Sequence, residues 1–512
     1  MHSEAKVAVG VAALYLANIS TLVLNTLFLV LLTNYIPPAE VGLVSLLNVV
    51  VVSVATISIL ALPVSGSGVS ATPPAVTRFL SEYIGSGEGS ARRVYLFSLG
   101  ICAALSAAVA GLISYAPVAS LIAGPLDAQT VSFAALDALV YSFAQLGAYS
   151  MLGIGRATAI GKLIIASSAL RYAAAAALLV AGAGPSGVFI GFLAGDLLLA
   201  VWSNATAFRL VEHQRGSGGD FGPVRRYMAS VFLAAMVGLA VSQTDKLLAF
   251  FQQGLFNLAF YNVASVGAAV ASFAPGAATN VLVPALSSYG DREDLKRTML
   301  KNYTRYISLT AIPMGFGLAA VSPFLLRVFG DEYATAAPLM SIISISISFS
   351  SIAAVYTSSL LVDDKAHHFT LSSVLALSSL VVVALVTVPV LGLRGIALGR
   401  AAMLFTMLGA VALFLRRTGS LVLDAEAYVK SLGASALMAA IVFGTLYLGQ
   451  DFGLASRAAS VGAALVMIPG GLIIYLLIMK ALRGFNQSDM DFIDVLLPPS
   501  LRFLSKLARR LL

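Results

Sequence analysis

The apolar residues of this chain come in long blocks separated by short polar turns, and that feature limits its folds more than any other. A block of about 18 or more apolar residues is long enough to cross a bilayer as a helix. Inside hydrocarbon every backbone N–H and C=O must be satisfied within the protein, so helices and closed barrels are the spanning structures available. A barrel would read as alternating segments of about 10 residues, and the blocks here do not alternate. Fourteen spans are predicted: Val7–Thr33, Val41–Leu62, Val94–Tyr115, Val131–Leu152, Ala157–Ala181, Val188–Leu210, Tyr227–Phe251, Phe256–Val283, Tyr303–Leu326, Ala336–Val362, Phe369–Val390, Ile396–Leu415, Val429–Gly449 and Ala458–Met479. The fold class expected is an all-α polytopic membrane protein of about 14 transmembrane helices. Charge supports it. Hydrophobic residues make up 59% of the chain and charged residues 11%, against about 25% charged in an ordinary soluble domain. A water-soluble surface could not be covered with so few charges.

Turn chemistry marks the breaks: Pro37-Pro38, Gly66 with Gly68, Pro73-Pro74, Gly184-Pro185, Gly216 with Gly218-Gly219, and Gly392. Ahead of the first block stands a single basic residue, Lys6. The stretch from Val7 to about Tyr35 is too long for a signal-peptide core, so it is read as a retained first helix. With both termini cytoplasmic, 25 of the 31 Lys and Arg residues fall in inside segments or in the cytoplasmic ends of the spans. Arg327, Arg394 and Arg457 fall outside, and Arg171, Lys246 and Arg400 lie within spans. Positive residues resist translocation, so this asymmetry sets the orientation expected in a cytoplasmic membrane. The net charge of +8 is then a property of cytoplasmic loops, not a sign of nucleic acid. The tail Phe485–Leu512 carries Leu501, Leu504, Leu507 and Leu511 at helical spacing, with Arg502, Lys506, Arg509 and Arg510 around them. That pattern suits an interfacial helix on anionic lipid headgroups.

One cysteine, Cys102, excludes disulfide scaffolds and cysteine metal sites. Four histidines (His2, His213, His367 and His368) make no zinc site, and no metal is expected. The turn Asp363–His368 is read as solvated, in keeping with the polarity of short turns. No glycine-rich phosphate loop follows a strand, so nucleotide hydrolysis is not the energy source.

Two stretches echo each other. Gly184–Gly191 (GPSGVFIG) and Gly392–Gly399 (GLRGIALG) share G-x-x-G-x-x-x-G at the start of the sixth and twelfth spans. Leu31–Leu46 and Ala249–Ala264 share a helix–short turn–helix layout at a similar offset. Small residues at such spacing let helices approach closely in lipid. The expectation is two parallel six-helix repeats, residues 1–215 and 216–420, then two additional helices within 421–484 and the basic tail 485–512. Substrate would bind between the repeats.

Ser242–Ala264 (SQTDKLLAFFQQGLFNLAFYNVA) opens the second half. Its Thr244-Asp245 pair, apolar run and Tyr261-x-x-Ala264 resemble a pattern of the polysaccharide-type flippases of the multidrug/oligosaccharidyl-lipid/polysaccharide (MOP) superfamily. Leu282–Arg297, Phe329–Met340 and Leu391–Ala401 are similar to further stretches of that family, and the layout resembles it over the whole chain. The turn after the first helix departs from the pattern, with Val41 and Val44 where the family often has aromatic residues. The resemblance implies a flippase that moves lipid-linked saccharides from the cytoplasmic to the outer leaflet by alternating access, with glycan-assembly enzymes as possible partners. It implies no bound cofactor, with H+ or Na+ as possible coupling ions.

Ionisable residues at membrane depth are costly and mark functional positions or internal pairs. Arg78, Arg171, Lys246 and Arg400 are the candidate contacts for a phosphate headgroup, since arginine forks match phosphate geometry. Asp137, Asp196 and Asp245 are candidate coupling-ion sites or counter-charges. The competing reading makes them internal pairs, for example Arg171 with Asp196. Asn18, Asn25, Gln145 and Gln243 either line a cavity and bind sugar hydroxyls or hydrogen-bond one helix to another. A multidrug cation antiporter of the same superfamily is the alternative function. It would favour an acidic, aromatic cavity, whereas here interior bases match interior acids and Trp202 is the one tryptophan. A membrane glycosyltransferase is disfavoured because no loop is long enough for a catalytic domain.

Overall fold

The computed structural model describes residues 2–61, 74–86, 91–115, 128–212, 222–272, 282, 286, 292–362, 366–449, 456–486 and 489. The tail beyond Asp489, Asn280, the turn Asp363–Lys365 and the loop glycines Gly66, Gly68, Gly216, Gly218 and Gly219 lie outside the described residues. Fourteen α-helices are present among the described residues, and no strand. They are α1 (His2–Tyr35), α2 (Pro38–Ile59), α3 (Ala75–Ser86), α4 (Ala91–Ser114), α5 (Ala128–Gly153), α6 (Ala157–Val180) and α7 (Gly184–Glu212). There follow α8 (Gly222–Ala269), α9 (Glu293–Leu325), α10 (Ala337–Val362), α11 (Ala366–Leu391), α12 (Leu393–Arg417), α13 (Ala425–Gly449) and α14 (Arg457–Ala481). Most run a few residues past the apolar blocks, because the helix continues through charged ends that hydropathy does not count.

All but the short α3 are long and apolar enough to cross a membrane, which gives 13 candidate spans. The count of fourteen crossings is recovered at α8. With its 3-10 extension it forms a stretch of 51 residues, Gly222–Ser272. At 1.5 Å per residue that is roughly 75 Å, more than twice a hydrocarbon core of about 30 Å. The backbone leaves helical geometry at Gly254, with φ 79° and ψ 177°. Only glycine takes up that conformation without a Cβ clash. The seventh and eighth predicted spans are thus two helices, joined by a tight turn at Gly254.

Two compact units divide the chain, Met1–Asn262 and Val263–Leu512. The internal repetition in the sequence places a boundary at 215–216; the first unit also takes in the first segment of α8 and the start of its second, as far as Asn262. There, α2 meets α8 where Gly42 lies against the Leu255 backbone, so closely that any Cβ at Gly42 would collide with the carbonyl. Asn262 Nδ2 donates to Ser45 Oγ at 3.0 Å along the same contact.

The two glycine motifs do the same local work in their own units. On α7, Gly187 lies against Leu178 and Gly191 against the Ala175 backbone of α6; one turn past the motif, Gly195 lies against the Ser167 carbonyl and Arg171. On α12, Gly395 lies against Thr387 and Val388, and Gly399 against Leu380 and Ala384 of α11. A side chain at any of these positions would push the paired helices apart.

In the second unit α9 contains Pro313 and Pro323. A proline supplies no N–H, so the carbonyl four residues earlier loses its helical partner. Both carbonyls are satisfied by hydroxyls: Tyr475 OH donates to Leu309 O at 3.1 Å, and Ser322 and Ser341 donate to Ala319 O at 2.9 and 3.2 Å. The Tyr475 bond also fixes α14 to α9, as Ser431 fixes α13 by donating to Ser308 O at 2.9 Å. At one end of this pair Arg457 donates to the carbonyls of Arg327 and Val328. At the other end Arg305 of α9 binds Asp424, Asp489 and the Gly484 carbonyl, each at 2.8–2.9 Å. The two additional C-terminal helices are therefore fastened to the second unit along their whole length.

Candidate functional site

The first unit holds a buried cluster of three ionisable groups on three adjacent helices. Asp137 on α5, Arg171 on α6 and Asp196 on α7 each stand near the middle of their helix. The close approach of α6 and α7 at Gly195 brings Arg171 to Asp196. Arg171 Nη1 donates to Asp196 Oδ2 at 2.6 Å, and the two side chains are 12% and 5% exposed. The guanidinium lies 4.0 Å from the centroid of the Phe192 ring and 5.5 Å from that of Tyr141, so aromatic faces take the part of its charge that the carboxylate does not. The pairing is not bidentate, and Nε is buried with no hydrogen-bond partner. Asp137 has no exposed surface, and neither of its carboxyl oxygens meets a donor. It interacts electrostatically with both Asp196 and Arg171.

Tyr141 and Phe192 complete the setting of Arg171 and were not singled out in the sequence. A signal was available, since Tyr141 is four residues after Asp137 and Phe192 four before Asp196, the spacing of neighbours on one helix face. Tyr172, next to Arg171, donates to Asn25 Oδ1 of α1 at 3.2 Å. Asn25 thus joins α1 to α6.

Asp245 is buried beside the α8 turn. Its Oδ2 accepts from Tyr261 OH at 2.8 Å and its Oδ1 from the Lys246 backbone N–H at 2.9 Å. The Asp245–Tyr261 bond spans Gly254, so the Thr-Asp…Tyr-x-x-Ala pattern has a physical role: it ties the two arms of α8 together.

Arg78 is exposed on α3, its guanidinium 4.4 Å from the Tyr227 ring centroid. Gln145 is buried two turns beyond Asp137 on α5. Asn18, Gln243 and Lys246 are half-buried in the first unit, and Gln243 Oε1 meets no donor. Arg400 is half-buried on α12, in the second unit. Among the described residues no group of three or more His, Cys, Asp or Glu side chains is placed to hold a metal.

Bent and tightly paired spanning helices with ionisable groups at their middles define a class: a multi-pass membrane protein with the fold of the MOP-superfamily transport proteins. The structure of "Lipid II flippase MurJ, inward closed conformation" matches with a TM-score of 0.68 at 12% identity, over 91% of this chain and 98% of that one. An inward-facing multidrug resistance MATE family transporter of the MOP superfamily matches at 0.59 and 15% identity, over 78% of this chain and 95% of its own. A mutant of the Vibrio cholerae MATE transporter VcmN matches at 0.56 and 14%, over 80% and 97%. At these identities the likeness is one of fold. No curated protein matches the sequence. Residues 87–338 match the family described as "Polysaccharide biosynthesis protein". Family match and fold together bear out the resemblance, read in the sequence, to the polysaccharide type of the MOP superfamily.

Proposed function

We propose that this protein is a carrier that flips a lipid-linked saccharide, held through its phosphate or diphosphate, from the cytoplasmic to the outer leaflet. The observation that carries the reading is the polysaccharide-biosynthesis match across residues 87–338. The lipid II flippase fold supports it, because it matches more of this chain than the MATE structures do. Chemistry adds a cation in the right surroundings. Arg171 uses one N–H on Asp196 and keeps others for an oxyanion, in an apolar, aromatic setting where a charge-assisted bond is strong. Arg78, Lys246 and Arg400 are proposed as further headgroup contacts. The protein acts without covalent chemistry of its own, in the cytoplasmic membrane with both termini inside, and works beside the glycan-assembly enzymes that make its cargo.

The test is reconstitution in vesicles with a fluorescent polyprenyl-diphosphate saccharide, read by the accessibility of the label to a membrane-impermeant quencher. Wild type is expected to move the label across. Arg171→Ala is expected to insert and elute normally but to lose that movement. A wild-type protein that leaves the saccharide in place while expelling cationic dyes would replace this reading with the multidrug antiporter. Normal movement by Arg171→Ala would remove Arg171 from the site.

A further inference from the structure

Two carboxylates and one guanidinium share the interior of the first unit. With all three ionised, the cluster carries one net negative charge at the middle of spanning helices. Uncompensated charge at that depth is costly, and two carboxylates sharing a site do not both stay ionised. Arg171 compensates Asp196 through a 2.6 Å bond. Asp137 is wholly enclosed, and no donor reaches either oxygen. A hydrogen on Asp137 meets both requirements. It makes the cluster neutral, and it turns Asp137 into a donor toward the neighbouring Asp196 carboxylate.

We infer that Asp137 and Asp196 hold one exchangeable proton between them, with Arg171 as the fixed counter-charge, and that this pair is the ion site of the first unit. A metal cation suits the place poorly. Hard cations gather several oxygen ligands, whereas here the neighbours include a guanidinium and the Phe192 and Tyr141 rings. Among the described residues, the charged and titratable groups that face the pair, besides each other, are Tyr141 on α5 and Arg171 and Tyr172 on α6. From α1, the neutral Asn25 approaches through Tyr172. The described charges of α2 and α4 (Glu40, Arg92 and Arg93) and Arg209 of α7 stand near the ends of their helices. The proton comes from water and returns to it when the cluster is hydrated, so no other reactant is needed. The inference stands on the triad alone and holds whatever the cargo.

Infrared spectroscopy of the full chain in lipid nanodiscs reads the proton directly. A protonated buried carboxyl shows a C=O stretch above the amide region that shifts in deuterated water. At neutral pH wild type is expected to show such a band, and Asp137→Asn and Asp196→Asn each to lose it. Arg171→Gln, which removes the counter-charge, is expected to strengthen it. If either asparagine variant does not fold, isotopic labelling of aspartate in wild type decides, since the band must then move. Three results would each overturn the proposal: no aspartic-acid band at neutral pH, a band that survives both asparagine variants, or a band removed by Na+ at constant pH. Because no substrate is involved, failure here and failure of the flippase reading are separate outcomes.

Discussion

Arg305 allows a prediction of defined size. Its Nε and Nη2 hold both oxygens of Asp489 at 2.8 Å, Nη1 holds Asp424 at 2.8 Å, and Nη2 also donates to Gly484 O at 2.9 Å. Asp489 is 1% exposed, and its Oδ2 also accepts the Asn486 N–H at 2.7 Å. In Arg305→Ala that carboxylate loses its cation while still enclosed, which costs about 3–5 kcal/mol if nothing relaxes. The helices themselves stay fastened, because Tyr475, Ser431 and Arg457 hold α13 and α14 independently. The loss therefore falls on the segment after α14, as local opening. At about 1.4 kcal/mol per tenfold, its open population should rise by between about a hundredfold and a few thousandfold. Hydrogen exchange of the Gly484 and Asn486 amides measures it, since one bonds Met479 O and the other Asp489. Arg305→Lys should fall between the two, because an ammonium cannot grip two carboxylates in a planar fork. Exchange in Arg305→Ala within threefold of wild type would refute this account of the junction.

Other perturbations follow from the same packing. Although partial burial works the other way, the Ala427 N–H and Arg305 hold the Asp424 carboxyl below its ordinary value. A lowered carboxyl contributes fully above its unfolded value of about 3.9 and is lost as pH falls through the lower folded value. The same exchange assay should thus be flat from pH 6 to 8, with opening that grows below about pH 4. Tyr475→Phe should cost about 1 kcal/mol by thermal unfolding in detergent, because it strands Leu309 O. In a Pro313→Ala background a backbone N–H can serve that carbonyl, so the cost should shrink to a few tenths of a kcal/mol; simple additivity would contradict the explanation. Gly191→Ala should destabilise by roughly 1–3 kcal/mol, because its methyl meets Ala175 backbone that cannot yield. Gly100→Ala, where nothing lies within 4 Å, should be neutral or slightly stabilising by the same thermal measurement.

Residence in a membrane, the all-α class and the positions of the spans were determined by the sequence itself. Twenty apolar residues in a row leave the backbone no partner but itself, so hydropathy dictates a helix locally and without reference to any neighbour. The glycine motifs of α7 and α12 were legible for a similar reason, since a missing side chain permits close approach whatever the partner helix. The turn at Gly254 was likewise marked in the sequence by a polar interruption. What tertiary structure alone decided was which charges meet. The sequence offered Arg171 with Asp196 as one pairing among its readings, and the packing of α6 against α7 at Gly195 is what makes it and leaves Asp137 enclosed beside it. Asp245 and Tyr261 belonged to one motif, but the turn at Gly254 is what brings carboxylate and hydroxyl within 2.8 Å. Helix formation is a short-range consequence of solvent; ion pairing depends on how helices turn and cross, and that is a property of the packed bundle.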